Sequence, residues 1–310
     1  MNKIIKSFTI SLITIFFLIN FLFNSEIFIR CFFNSIKLWF YNLLPNIFVF
    51  FTICDILNNY EFPSILNHIF GKIIDKIFNL PKESSYILFM ALVSGFPGNS
   101  KLIKNELDNG NITEYDANKL LTMTHFFNPM FIIHIIGINY LNDKKLGLII
   151  LIVHFTTNYF IGFLFRNIYQ IETIKSNPVN HEILSFMSLL KKSFLNSFQT
   201  LINVLGIIIF FSIITTTINQ YLNLNEYSNM FVNSLLEITN GLNLLNNLHL
   251  SKIKNATLIT FFISFGGFAI HMQIMSILNK YHINYFIYLI ARLLHAAISS
   301  LIIFLILLIN

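Results

Sequence analysis

Polar side chains that could bind a solute stand inside long apolar runs of this sequence. Arg292 and His295 are three positions apart, which places both on one face of a helix. Ionisable residues inside a membrane segment are costly and usually face a cavity or a partner. We therefore expect a shared polar cavity for a small set of candidates. They are His125, Asn128, His271, Gln273, Arg292 and His295.

Each of these candidates has a plainer alternative. A single histidine in an apolar run is more often a packing residue held by hydrogen bonds. Arg292 would lie at the membrane interface, not inside the membrane, if its span began just before it. Its long side chain could then extend outward to the lipid headgroups. The sequence leaves both readings open.

Motifs of enzymes and metal sites are missing. The sequence has no GxxxxGK[ST] phosphate loop, no HExxH and no GxSxG nucleophile elbow. Cys31 and Cys54 belong to no CxxC or Cys/His pattern, and the histidines do not cluster within one segment. Acidic residues are nearly absent from the apolar runs, Asp55 being the nearest, so coupling to an ion has little support. We expect a protein that is not an enzyme and has neither cofactor nor metal.

The composition indicates a membrane protein. Hydrophobic residues make up 55% of the 310 positions and charged residues only 11%, with a mean hydropathy of +0.69. A soluble domain carries about 25% charged residues. The net charge of +6 is scattered between apolar runs, so it does not indicate nucleic-acid binding. The sequence predicts an all-α, multi-pass protein of the cell membrane with lipid as its main partner.

Six segments are predicted to span the bilayer, which takes about 20 residues each. They are 5–24, 36–57, 120–140, 146–165, 196–219 and 284–309. Lys3 and Lys6 precede the apolar run of the first segment as in a signal peptide, but no small-x-small cleavage site follows. We interpret this segment as a retained N-terminal anchor.

Two further apolar windows, 84–100 and 255–279, are interrupted by glycine and proline. Both residue types disfavour a continuous helix. In lipid, the freed backbone groups must be satisfied by protein or by a wet cavity. We expect two re-entrant half-helices whose tips hold a polar or anionic solute; kinks that merely allow close helix packing are the alternative. The tip residues are Ser94, Gly95, Pro97, Gly98 and Asn99, and Ser264, Gly266 and Gly267.

The two broken windows suggest an internal repeat. A shift of 170 residues aligns Ser94 with Ser264 and His125 with His295. Such repeats, when inverted, place a solute site near the midplane of a transporter. Amphipathic stretches at 62–79 and 227–248 are expected to lie in the interface or against the bundle. The predicted organisation is an anchor at 1–30, repeat one at 31–140, a connecting helix and linker at 141–182, and repeat two at 183–310.

Lysine and arginine set the expected orientation. With the N-terminus inside and six crossings, the inside segments hold 12 of the 20 basic residues and the outside segments hold 7. Arg292 lies within a span. By the positive-inside rule, both termini are expected in the cytoplasm.

Four stretches carry a resemblance to a known family. They read LWFYNLLPNIFVFFTICDIL, SGFPGNSK, SFGGFAIHMQIMSIL and ARLLH. Together, and in this order, they resemble the YlbJ family of sporulation integral membrane proteins over roughly 30–305. That family is built from two Gate, or nucleoside-recognition, domains, which are similar to parts of nucleoside transporters.

The resemblance implies a protein required for spore formation and spore heat resistance. It implies two Gate-type repeats that bind or move a small polar or nucleoside-like solute. A membrane scaffold for assembly of the spore envelope, acting through 62–79 and 227–248, is the alternative function. Neither reading excludes a homo-oligomer.

Overall fold

The computed structural model describes residues 2–60, 62–169 and 185–309 of the chain, and all regular structure in these ranges is helical. The predicted all-α, polytopic fold is thereby confirmed. The predicted linker at 168–182 lies outside the described residues, except for its first two positions. The α-helices are α1 (Asn2–Phe23), α2 (Ser25–Leu38), α3 (Leu44–Asn59), α4 (Phe62–Phe78), α5 (Ser84–Ser94), α6 (Gly98–Asp108), α7 (Glu114–Met123), α8 (Lys144–Leu164), α9 (Phe186–Leu222), α10 (Glu226–Leu236), α11 (Ile238–Asn247), α12 (Lys252–Phe265), α13 (Gly267–Ile277) and α14 (Tyr285–Ile309), with π-helical segments at Trp39–Leu43 and Phe131–Tyr140.

Five helical stretches in the described ranges are long and apolar enough to cross a membrane. They are Ile4–Phe23, Lys144–Leu164, Phe186–Leu222, Lys252–Ile277 and Tyr285–Ile309. Four of them match predicted spans. The fifth, α12 with α13, was expected to be re-entrant, but it runs on as one apolar stretch of 26 residues with a break inside it.

Two predicted spans are interrupted instead. The segment 36–57 changes from α2 through the π-helical turn into α3, whose first turn contains Pro45. The segment 120–140 loses its helix at residues 124–128 and regains it at Pro129. Pro129 contributes to this second interruption, because the residue before a proline is disfavoured in helical conformation.

The window around 84–100 breaks where the sequence predicts. α5 ends at Ser94 and α6 begins at Gly98, with Gly95 at φ 66° and ψ −170° between them. This backbone region is essentially restricted to glycine. We call residues 84–108 the first bend.

The stretch 227–248 is not a single amphipathic helix. It forms α10 and α11, which meet at Glu237 and fold back on each other. A Cβ built on Gly241 would lie 2.2 Å from the Cα of Ser234, seven residues earlier. Residues seven apart in a straight helix would be about 10 Å apart along the axis, so the chain reverses here. We call residues 226–247 the second bend.

The order of elements repeats, but in a different register from the predicted one. Each bend is followed by a broken helix and then by a long one: 84–108, 114–140 and 144–164, then 226–247, 252–277 and 285–309. The starts differ by 142, 138 and 141 residues, not by 170. In this order α8 corresponds to α14, and His154 and His295 are each the eleventh residue of their helix. The predicted repeat boundaries remain predictions.

The core lies between two sets of elements, the first formed by residues 84–164 and the second by residues 226–309. α14 packs along α12 and also contacts α7 and α8, while α9 packs along α2 and α3. α1 keeps most of its apolar side chains exposed and is the least buried of the five candidate spans. The interrupted elements therefore lie inside, where other helices can satisfy their free backbone groups.

Candidate functional site

The two bends and the two broken helices meet at one cavity of about 60 Å³. The first bend contributes Phe96 and Pro97, and the second bend contributes Glu237, Ile238 and Thr239. The broken helices contribute Phe127, Asn128 and Phe131, and Ile270 and Gln273, while Leu43, Ile47, Val204 and Ile208 complete the apolar wall.

The tip of the first bend is locked to the first broken helix. The backbone N–H of Phe96 donates to the carbonyl of Phe126 over 2.8 Å. A Cβ on Gly95 would lie only 2.7 Å from the backbone nitrogen of Asn128. Glycine is therefore needed at this position for close approach as well as for its backbone conformation. Pro97, two residues on, reaches the cavity.

The tip of the second bend carries a buried carboxylate. Glu237 is 3% exposed and has an extended backbone between α10 and α11. Its Oε2 accepts from the backbone N–H of Asn240 over 2.9 Å and from the Thr239 hydroxyl, and its Oε1 accepts from the Thr239 N–H over 3.3 Å. These bonds cap α11, and the helix N-terminus favours a negative charge.

The break in the second broken helix adjoins His125. Gly266 has φ 90° and Gly267 has φ 71°, a region that side chains other than glycine rarely adopt. A Cβ on Gly266 would lie 2.3 Å from Nε2 of His125, so the bare glycine makes room for the imidazole. The Nδ1 atom of His125 lies 2.8 Å from the hydroxyl of Tyr288.

Arg292 is fully buried behind the cavity. One terminal nitrogen donates to the carbonyl of Thr122 and, over 2.9 Å, to Oδ1 of Asn158. The other lies 3.1 Å from Nδ1 of His295. Thr122 is in the last turn of α7, where a helix favours a cation. The guanidinium thereby joins α14 to the first broken helix and to α8.

The contacts of His295 and His154 fix the positions of their ring protons. Arginine has only donors, so Nδ1 of His295 accepts and its Nε2–H donates to the carbonyl of His154 over 2.9 Å. The backbone N–H of Phe127 donates to Nε2 of His154 over 3.3 Å, which leaves Nδ1–H to donate to Ser264 over 3.2 Å. Both imidazoles are neutral in this arrangement.

The structure separates the predicted site residues into three groups. Pro97, Asn128 and Gln273 line the cavity. His125, Ser264, Arg292 and His295 belong to the buried hydrogen-bond network. Ser94, Gly95, Gly98, Asn99, Gly266, Gly267 and His271 lie at the breaks themselves.

The residues at the breaks mainly satisfy the backbone and its close approaches. Asn99 is buried and its Nδ2 donates to the hydroxyl of Thr124 over 3.3 Å. His271 lies 2.9 Å from the carbonyl of Phe265 and 3.1 Å from the hydroxyl of Tyr285. Gly98 packs against the side chain of Ser94. Their role as ligands for a solute stays a prediction.

Sequence reasoning missed Glu237 and Thr239 in the cavity, and His154 and Asn158 in the network. Glu237 was passed over because 227–248 was interpreted as one amphipathic helix. His154 and Asn158 are four apart within the predicted span 146–165, a spacing that marks one polar helix face.

No metal cluster is found in the ranges 2–60, 62–169 and 185–309. Groups of three or more His, Cys, Asp or Glu side chains arranged to hold an ion are absent there. Four buried histidines instead form hydrogen bonds with hydroxyl groups or backbone carbonyls. They are His125, His154, His271 and His295.

Comparison with curated proteins finds a relative in Bacillus subtilis (strain 168), named sporulation integral membrane protein YlbJ. The two sequences are 22% identical over 304 residues, covering 86% of this chain and 74% of the relative. Over most of its length the chain is thus similar to a sporulation integral membrane protein. The resemblance to this family that the sequence motifs indicate is confirmed, and the printed name agrees with the helical membrane fold. No family model matches the chain, and no solved structure matches it either.

Proposed function

We propose that this sporulation membrane protein binds or moves a small polar solute through the cavity between its two bends. The coarse role rests on the similarity to YlbJ, which is named for sporulation. The finer role, a Gate-type transporter-like protein, is supported by the broken helices that meet at the cavity, and a nucleoside-like solute is included because of the resemblance to Gate domains.

One observation carries the proposal: four interruptions of the helical chain converge on one cavity. A helix break that is buried in the protein is costly unless its backbone groups form hydrogen bonds. Four such breaks around one cavity therefore indicate a functional site. Transporters that use paired repeats bind their solutes at such discontinuous helices. Motion of one set of elements against the other would expose the cavity to alternate sides.

The buried network has a positioning role in this proposal. Arg292 holds the end of α7 and Asn158, and His295 bonds to the backbone of α8. None of these side chains lines the cavity. We infer that they keep the broken helices in register while the bends handle the solute.

The proposal extends to topology and partners. The excess of lysine and arginine in the expected inside segments supports a cytoplasmic location for both termini. Membrane lipid is the expected surrounding, a homo-oligomer is compatible, and neither nucleic acid nor catalysis is part of the proposed role.

The test uses Gln273→Leu, which removes a cavity amide at nearly constant volume. Its matched control is Met272→Leu, since Met272 is the adjacent residue and is exposed. We expect spores of the Gln273→Leu strain to lose heat resistance while the protein inserts at normal levels. Heat resistance equal in both strains would contradict the proposed site. Thermal stabilisation of the purified protein by a panel of small metabolites would identify the solute.

A scaffold role remains the second candidate because of one surface. α4 exposes an apolar stripe in the i, i+4 spacing of a helix face, formed by Ile65, Ile69, Ile73 and Ile77. The other predicted scaffold segment, 227–248, is folded into the second bend. Crosslinking in sporulating cells distinguishes the two functions. A stable large complex formed through α4, together with no solute flux in liposomes, would favour the scaffold.

A further inference from the structure

The charge on the polar lining of the cavity is negative. Its polar side chains are the carboxylate of Glu237, the amides of Asn128 and Gln273, and the hydroxyl of Thr239. Within the described part of the chain, no lysine, arginine or histidine lines it. The remaining wall is apolar and aromatic, which lowers the local dielectric and strengthens every electrostatic interaction inside.

Among the described residues, Glu237 has no basic partner. Its carboxylate accepts hydrogen bonds from Thr239 and Asn240, both neutral. A carboxylate has about four acceptor positions on its two oxygens, and these contacts use three. Acceptor capacity therefore remains at a site where the chain supplies no cation among its described residues.

The buried basic residues of the described ranges are held elsewhere. Arg292 lies in the network behind the cavity, bonded to Thr122, Asn158 and His295, and Lys119 donates to the carbonyl of Asn79. An anionic solute in the cavity would meet the Glu237 carboxylate without a compensating charge on the wall. Like charges brought together in a water-poor site give strong discrimination against the wrong ligand.

We propose that Glu237 selects the solute, and that the cavity takes a small neutral or cationic molecule that carries hydrogen-bond donors and an apolar or planar body. The donors would meet Glu237 and the amide oxygens of Asn128 and Gln273, and the body would contact Phe96 and Phe127. This inference rests on the proposed solute-binding function and replaces the anionic solute that the sequence allowed.

The experiment uses three probes of nearly one size that differ in charge. They are nicotinamide, which is neutral, 1-methylnicotinamide, which is a cation, and nicotinate, which is an anion. Thermal unfolding of the purified full chain is followed at increasing concentrations of each, because a ligand that binds only the folded state raises its melting temperature. We expect stabilisation by the cation and the neutral probe and none by nicotinate.

Two substitutions at the same position separate charge from helix capping. Asp and Asn both cap helix N-termini well, but only Asp is charged. We expect Glu237→Asp to keep the preference for the cation and Glu237→Asn to weaken cation binding about tenfold or more, the usual effect of losing a hydrogen bond to a charged group. Glu106→Gln is the matched control, because Glu106 is also buried in a bend but bonds to Asn111 away from the cavity.

The possible outcomes have distinct meanings. Preferential stabilisation by nicotinate, or an unchanged cation preference in Glu237→Asn, would overturn the role of Glu237 and leave the solute-binding function standing. An effect of Glu106→Gln equal to that of Glu237→Asn would also overturn it. Absence of stabilisation by all three probes and by a wider metabolite panel would count against solute binding itself.

Discussion

The two bends reach the same cavity by different means. The first is broken by Gly95 and Pro97, whose backbone preferences are fixed by covalent structure. The second is broken at Glu237, in an extended conformation that any residue can adopt, and is closed by the contact of Gly241 with Ser234. One break is thus encoded locally, whereas the other exists because of tertiary packing.

The bends differ in charge as well as in cause. The first presents Phe96 and Pro97 to the cavity, and the second presents a carboxylate. The two buried charges at this site both lie on helix ends that favour them, Glu237 at the start of α11 and Arg292 beside the end of α7. A protein can thus keep single charges inside an apolar bundle without pairing them directly.

The largest expected effect concerns the closure of the second bend. In Gly241→Ala the new Cβ would meet the backbone of Ser234 at 2.2 Å, where nothing flexible can yield. We expect a loss of about 3 kcal/mol or more in the free energy of unfolding. The control is Gly206→Ala in α9, which has open space and should be neutral or slightly stabilising. Equal melting temperatures for the two variants would show that α10 and α11 do not fold back.

The next effect concerns Arg292 and the first broken helix. It tests whether the hydrogen bonds of Arg292 contribute as much to the free energy of unfolding as the packing of the second bend does. Arg292→Met leaves the Thr122 carbonyl and Asn158 without their buried donor. We expect a loss of about 2–3 kcal/mol, measured by thermal unfolding in detergent. Arg30→Met removes an exposed arginine paired with Glu26 and should change stability by less than about 1 kcal/mol. A similar result for both would rule out the positioning role.

A smaller effect is expected at the tip of the first bend. Gly95→Ala combines a backbone conformation reserved for glycine with a 2.7 Å approach to the nitrogen of Asn128. We expect a cost of about 2 kcal/mol. Gly110→Ala has a similar positive φ of 69° but open space, and should cost about 1 kcal/mol. The difference between the two melting temperatures measures the close approach together with the extended ψ of Gly95, and its absence would contradict the contact between the bend and the broken helix.

The smallest effect concerns the ion pair that joins the two sets at one end. Asp143 caps α8 and accepts from Lys252 over 2.7 Å, and this bond lowers the pKa of the Asp143 carboxyl. A lowered folded-state pKa means that the contribution is present at neutral pH and is lost as the pH falls through that value. We expect Asp143→Asn to melt slightly below the parent protein at pH 7 and to match it in acid. A gap that widened in acid would contradict this assignment.

Local signals in the sequence predicted much of the fold. The spans at 5–24, 146–165, 196–219 and 284–309 follow from length and hydropathy, and the break at Gly95 follows from residue type. The interruption at 124–128 was missed although Pro129 follows it directly, because the apolar run is long enough to span.

What the sequence could not supply depends on contacts between distant residues. The second bend has no proline and no glycine at its tip, so nothing local distinguishes it from an amphipathic helix. The shift of 170 residues matched two short glycine motifs, whereas the order of elements and the equivalent positions of His154 and His295 give 141. The grouping of Arg292 with His295 was correct, but the part taken by Asn158 appears only when α8 lies beside α14.

The dependence of the second bend on packing has a consequence for biosynthesis. α10 and α11 are not among the stretches apolar enough to cross a membrane, and they pack against α12 and α13, which are translated after them. Residues 226–247 therefore leave the ribosome before the helices against which they pack. The second bend can close only after α12 and α13 have been made, so the cavity is assembled late in synthesis.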